Sequence, residues 1–252
     1  MPKTPKENPR ANRRQESRKE EGDKVTRWIV ISMVALVVVT AGVVSLFSQG
    51  GGSADEDLSA LDSFPISEPL KSVVSDADDK AIVFNQGAPL KLSIWEDFQC
   101  PVCQQFEASF GTYIEDLVES GEAEVAFHTA SFLGPESRRA ANAGYCAADE
   151  GRFLDFHKAM YAIQSPIENS GFWNPDNLIR IGEKIGITSE SFATCVRDDA
   201  KRDLVNTVAE SMMKYGVEGT PTVFINGKEW NRTSPAFDLE EFRAAVEAAK
   251  TE

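Results

Sequence analysis

Apolar residues fall along this chain in three regimes, and each predicts a different structure. Residues 1–27 carry three prolines, many charges and scarcely an apolar side chain, which predicts a disordered basic cytoplasmic tail. Residues 28–47, WIVISMVALVVVTAGVVSLF, form a run without a charge. At about 1.5 Å per residue, a helix of that length crosses a hydrocarbon core of about 30 Å. The run is longer than the roughly 7–15 apolar residues of a cleavable signal peptide, and no clear Ala-x-Ala site follows. An uncleaved transmembrane signal anchor is therefore expected. Arg13, Arg14, Arg18, Lys19, Lys24 and Arg27 flank it on one side and Asp55, Glu56 and Asp57 on the other. The positive-inside rule keeps the N-terminus cytoplasmic and places the remainder outside, as a single-pass protein of the cell membrane.

Residues 48–75 start with Gly50-Gly51-Gly52-Ser53 and continue through acidic, Pro-containing sequence, which predicts a flexible linker. From residue 76 to 252 the periodicity is that of a folded domain. Ala81–Phe84 and Leu90–Trp95 read as strands joined by the turn Asn85-Gln86-Gly87-Ala88-Pro89. Phe106, Phe110, Tyr113, Ile114, Leu117 and Val118 have helical spacing, in a helix that opens at Cys100 and ends near Gly121. Ala123–Thr129 alternates like a strand, and a strand–helix–strand order implies a parallel pair. Residues from about 132 to 215 read as mostly helical, with starts at Asn174-Pro175-Asp176 and Thr188-Ser189-Glu190 and a last helix over about 198–215. Thr222–Ile225, the turn Asn226-Gly227 and Lys228-Glu229-Trp230 read as a hairpin, and Asp238 caps a final helix. The fold class is α/β with a helical insertion between two halves.

Composition adds a real core, at 42% hydrophobic residues, and a net charge of −14. Nine Lys/Arg and five Asp/Glu precede Trp28, so the rest of the chain is more acidic than the total suggests. Such a surface repels phosphates, and no nucleic-acid partner is expected.

The candidate chemistry lies in Glu96-Asp97-Phe98-Gln99-Cys100-Pro101-Val102-Cys103, at a strand-to-helix junction. Unsatisfied N–H groups of a first helical turn favour a thiolate, so Cys100 is the candidate nucleophile and Cys103, one turn on, the resolving thiol. Such a pair is equipped for thiol–disulfide exchange. A permanent Cys100–Cys103 disulfide or a pair of zinc ligands is the bland alternative. Zinc needs two further ligands at short spacing, whereas Cys146 and Cys195 are far apart and the chain has only His128 and His157. No metal and no cofactor are expected. Pro101 is tolerated at a helix start because it has no N–H to lose there. Glu96 and Asp97 point to opposite faces of a strand, so at most one faces the thiols. Phe98, Phe106, Phe132, Phe172 and Trp173 are candidates to line a peptide groove, and most of them read as core.

A Cys-x-x-Cys at the first strand-to-helix junction, followed after a helical block by Gly219-Thr220-Pro221-Thr222 before a hairpin strand, resembles the thioredoxin superfamily. More closely it resembles the exported DsbA-like branch, whose membrane-anchored actinobacterial members carry two further cysteines. The resemblance covers about residues 80–250. It implies a thioredoxin fold and a protein disulfide oxidoreductase that introduces disulfide bonds into secreted or cell-surface proteins. Cys100 and Cys103 would be catalytic, while Pro101, Val102, Thr220 and Pro221 would contact substrate, Pro221 in a cis-proline loop. It also implies a structural Cys146–Cys195 disulfide. Val102 stands where the strongest oxidants often have His, which implies a milder oxidant with a thiolate held chiefly by helix N–H groups. Ile94 stands where many relatives have an acid, leaving Asp97 as the better candidate for that role, with a solvated or capping role equally open to it. The implied partners are unfolded exported proteins and a membrane reoxidase such as a vitamin K epoxide reductase homologue, with the enzyme acting as a monomer. An exported reductase or isomerase, or a peptide-binding chaperone without redox function, uses the same residues differently.

Overall fold

Seven consecutive residues, Leu90–Glu96, form the strand on which the fold is hung. The computed structural model describes residues 58–251, so the basic tail and the apolar run expected at 28–47 lie outside the described residues. Among the described residues no helix is long and apolar enough to cross a membrane. The strands are β1 (Val73–Val74), β2 (Ile82–Phe84), β3 (Leu90–Glu96), β4 (Ala123–Thr129), β5 (Thr222–Ile225) and β6 (Lys228–Glu229). They form one sheet in the order β1-β2-β4-β3-β5-β6. β3 and β4 run parallel, in register from Leu90 opposite Ala123 to Glu96 opposite Thr129, and every other pair is antiparallel. The strands flanking the Asn85–Pro89 turn are not partners, because β4 lies between them.

Helix α1 (Pro101–Glu119) joins β3 to β4 and buries Phe106, Phe110, Ile114, Leu117 and Val118 along one face. That face meets α7 (Leu239–Ala249), where Phe110 and Phe242 stack with ring centres 4.7 Å apart. The Asp238 side chain caps α7 by accepting from the N–H groups of Glu240 and Glu241, and Asn226-Gly227 makes the β5–β6 turn with positive φ at both residues.

The insertion consists of α2 (Pro135–Asp149), α3 (Phe153–Ala162), α4 (Pro175–Lys184), α5 (Glu190–Arg197) and α6 (Arg202–Ser211). α2 is buried on nearly every side, since Ala140, Ala141, Ala143, Gly144 and Ala147 allow the other four helices to approach. The helix expected over 198–215 is divided: α5 ends at Arg197, Asp199 takes a left-handed φ of 52°, and α6 passes into a 3-10 turn at Met212–Tyr215. Between α4 and α5 the Phe192 ring packs so closely on Gly182 that an added Cβ there would lie 2.3 Å from it. Cys146 on α2 and Cys195 on α5 are joined by a disulfide with a Cα separation of 5.9 Å.

The linker expected to run to residue 75 ends earlier. Leu58 and Leu61 are buried in the core of the insertion. The Ser67 N–H donates to Asp155 Oδ1 (3.0 Å), the Leu70 N–H donates to the Gly151 carbonyl (3.0 Å), and β1 pairs with β2. The acidic, proline-containing composition concealed two leucines with a cavity to fill.

Two outcomes follow for stability. Leu61→Ala is expected to cost about 2–5 kcal/mol in urea unfolding, as for a buried leucine, whereas a linker residue would cost under about 0.5. Replacing Cys146 and Cys195 together by Ala is expected to cost about 2–4 kcal/mol, because the bond closes a loop of 49 residues; an unchanged urea midpoint would remove the bracing role.

Candidate active site

At the end of β3 the chain turns into α1 through a loop fixed by one carboxylate. Asp97 is fully buried, and it accepts from the Ser137 hydroxyl (2.6 Å) and the N–H groups of Gln99 (2.9 Å), Phe132 (3.1 Å) and Leu133 (3.2 Å). Burial nevertheless raises its pKa against those four donors. The Asp97 carbonyl accepts from the Cys100 N–H at 2.9 Å. From the insertion, the Gln164 side chain donates to the carbonyls of Phe98 (2.8 Å) and Cys100 (3.1 Å). Asp97 therefore holds the loop, which is the capping role open to it and not that of the acid beside the thiols.

Cys100 takes the N-cap position of α1, with Pro101 at the first helical position. Both thiols are free. Cys100 is 7% exposed and Cys103 is fully buried, so only the first is open to an incoming sulfur. The pKa of Cys100 is lowered to about 6. The Cys103 thiol beside it is the first cause; Thr220 and the N–H groups of Cys103 and Val102 add to it, while burial opposes. The neighbouring thiol, rather than the helix N–H groups, is thus the main support of the thiolate. Cys103 moves the other way: burial first, then its hydrogen bond to Cys100 and the charge of Glu96, keep it protonated.

The acid behind the thiols is Glu96. Strand alternation puts consecutive residues on opposite faces, and the face of β3 that looks under α1 carries Glu96. Its charge bears on both cysteines. It faces Glu107 of α1 and lies 3.1 Å from Nε2 of His157 on α3, and burial raises both glutamates well above the carboxylate range. Burial also lowers the pKa of His157. Ile94 is buried and apolar, and the buried acid of this strand is Glu96, two residues later. Glu107 was missed although its place one turn beyond Cys103 on the same helix could have pointed to it; His157 had no such signal, because only packing brings α3 here.

Across from Cys100, the Thr220–Pro221 peptide bond is cis, and Cys100 Sγ lies 3.4 Å from the Thr220 carbonyl oxygen. A groove of about 390 Å³ runs from there along Val102, Phe106, Thr220, Pro221, Trp230 and Phe237. Val102 is 40% exposed at its edge. Pro101 is exposed but does not line this groove. Of the aromatics expected as core, Phe98, Phe106, Phe172 and Trp173 are buried, and Phe132 is 47% exposed. Trp230 and Phe237 were missed, because their place beside α1 depends on how the hairpin and its following loop fold back.

A family model described as thioredoxin matches residues 77–248. A probable disulfide bond formation protein D of Bacillus anthracis is 27% identical over 60% of this chain and 70% of its own length. A Na(+)/H(+) antiporter NhaA 3 of Salinispora tropica is 24% identical over 90% of this chain, which spans only 31% of that protein. Among solved structures, reduced DsbA of Mycobacterium tuberculosis superposes with a TM-score of 0.53 at 27% identity, covering 73% of this chain and 96% of that one.

The site makes a pH-dependent prediction. Thiolate absorbance of the reduced protein is expected to rise with a midpoint near pH 6 and to be lost in Cys100→Ser, with no second thiolate appearing below pH 9. A midpoint near the unperturbed value of about 8.5 would remove the asymmetry on which the site depends.

Proposed function

Because the chain belongs to the thioredoxin family and pairs a lowered-pKa thiol with a buried, raised one, we propose that it is a DsbA-like thiol–disulfide oxidoreductase that introduces disulfide bonds into exported polypeptides. The supporting observation is the opposed protonation of Cys100 and Cys103. In the oxidised enzyme a substrate thiolate attacks Cys100 Sγ, a mixed disulfide forms, and Cys103 departs and takes up a proton. Glu96, the acid next to Cys103 on which burial keeps a proton, is the positioned source of that proton. A second substrate thiolate then attacks the substrate sulfur of the mixed disulfide and expels Cys100 as a thiolate. The substrate leaves oxidised by two electrons, and the enzyme holds them as the dithiol. The Thr220 backbone beside Cys100 is the place for an extended substrate segment, with Val102 and the aromatic groove receiving its side chains. A quinone-linked membrane reoxidase, of the vitamin K epoxide reductase kind, restores the disulfide. The apolar run at 28–47 anchors the enzyme so that the domain works outside the cytoplasm, as a monomer.

Magnitudes favour an oxidant of middle strength. Only the reduced form has a thiolate to stabilise. Its depressed pKa stabilises it fully above the unfolded thiol's value near 9, and the effect is lost as pH falls through about 6. At pH 7 the part realised is about 1.4 kcal/mol, or about 30 mV for a two-electron couple. That raises the potential without approaching the roughly 150 mV that separates thioredoxin from the strongest oxidants. Val102 has no donor to add, which agrees.

Equilibration of the purified domain with glutathione tests the direction. A potential between about −230 and −130 mV is expected. A value near thioredoxin's −270 mV would make the enzyme a reductase.

A further inference from the structure

Glu96 from the end of β3, Glu107 from α1 and His157 from α3 converge behind the dithiol. One ligand atom from each lies within 4.8 Å of the others. His157 approaches Glu96 Oε2 at 3.1 Å through Nε2 and Glu107 Oε2 at 3.7 Å through Nδ1. On each glutamate the other oxygen, Oε1, is buried and has no hydrogen-bond partner. A fourth group lies beside them. The Tyr161 hydroxyl belongs to a residue only 4% exposed, has no partner, and lines one small cavity together with Glu96 and His157.

Unsatisfied buried polar atoms each cost about 1–3 kcal/mol, and more when charged. Several around one point indicate a missing occupant. The cavity, about 10 Å³, borders Glu96, His157 and Tyr161, while Glu107 approaches from the neighbouring groove; it is at the lower limit for one water, and a water leaves the two glutamates without a positive counter-charge once they ionise. A divalent cation has both the charge and the small size.

We propose that Glu96, Glu107 and His157 form a binding site for a divalent transition-metal ion, with zinc the best fit to two carboxylates and one imidazole and the Tyr161 hydroxyl facing the ion. Tetrahedral zinc with bonds of about 2.0–2.1 Å needs ligand atoms about 3.3 Å apart. The ion takes one imidazole nitrogen, and Glu107 closes on it. Glu107 is free to do so because it borders an open groove between α1 and α3, lined also by Gln104, Gly111, Glu115, Lys158 and Tyr161. At Gly111 an added Cβ would stand 2.7 Å from Glu107 Oε2, so the glycine keeps the carboxylate mobile and gives the ion a path from solvent. Two pairs of cysteines or histidines at short spacing are what mark a zinc site in a sequence, and this one has only Cys100 and Cys103. These ligands are 11 and 50 residues apart along the chain.

An ion on Glu96 displaces the proton that Glu96 is proposed to give to Cys103, so ion and proton compete for this carboxylate; the test reads binding alone. Zinc is titrated calorimetrically into the oxidised protein, in which Cys100 and Cys103 are joined and contribute no thiolate. One ion per chain with a dissociation constant below about 10 μM is expected, weakened at least tenfold by Glu107→Gln. Gly111→Ala, which keeps every ligand and favours the helix, is expected to weaken binding severalfold by crowding Glu107. Cobalt in place of zinc should give visible bands of a four- or five-coordinate oxygen–nitrogen shell. Absence of stoichiometric binding, or binding unchanged in Glu107→Gln, would overturn the proposal; several weak sites unaffected by it would mark ordinary surface carboxylates.

Discussion

Two identical side chains, three residues apart, must hold their protons with very different strengths, and the rest of the architecture serves that requirement. Cys100 caps α1, where N–H groups and a neighbouring thiol stabilise a thiolate. Cys103 lies one turn deeper, where burial and Glu96 suppress one. The difference comes from depth. A helix that enters the fold at its own N-terminus carries its first residue at the surface and its fourth in the core. What makes this possible is β3, which pairs on both sides, with β4 and β5, and ends directly under that helix.

The helical insertion has more to do than enlarge the domain. Gln164 holds the carbonyls on either side of the Cys100 turn, Ser137 supplies a donor to Asp97, and His157 stands against Glu96. Each belongs to the insertion, while each partner lies in the β3–α1 segment. The Cys146–Cys195 bond ties α2 to α5 within the same block. Its bracing acts on the reactive thiols indirectly, through the geometry of those contacts.

Legibility followed the range of the forces involved. The strands, the asparagine–glycine turn and the caps at Asn174, Ser189 and Asp238 arise from interactions within a few residues, and all were readable. Leu58 and Leu61 were not, because isolated leucines in a polar stretch carry no period and their value depends on a cavity built by distant helices. Glu96 and Asp97 were read as pointing to opposite faces, which is right, but which face holds the thiols is decided by where α1 crosses the sheet. Trp230 and Phe237 were overlooked for a similar reason, their neighbours on α1 being more than a hundred residues away in the chain.

By itself the sequence determined the chemistry on offer: a helix-start Cys-Pro-Val-Cys, a Thr-Pro loop before a hairpin, two spare cysteines and an α/β order of elements. These are local patterns, set by spacing, turn preference and helix polarity. Tertiary structure alone decided which acid lies behind the thiols, which donors hold the loop, where the groove runs, and that two glutamates and a histidine meet behind them. The physical reason is that desolvation and charge coupling act over a few ångströms of space whatever the distance along the chain, and only packing determines which residues come that close.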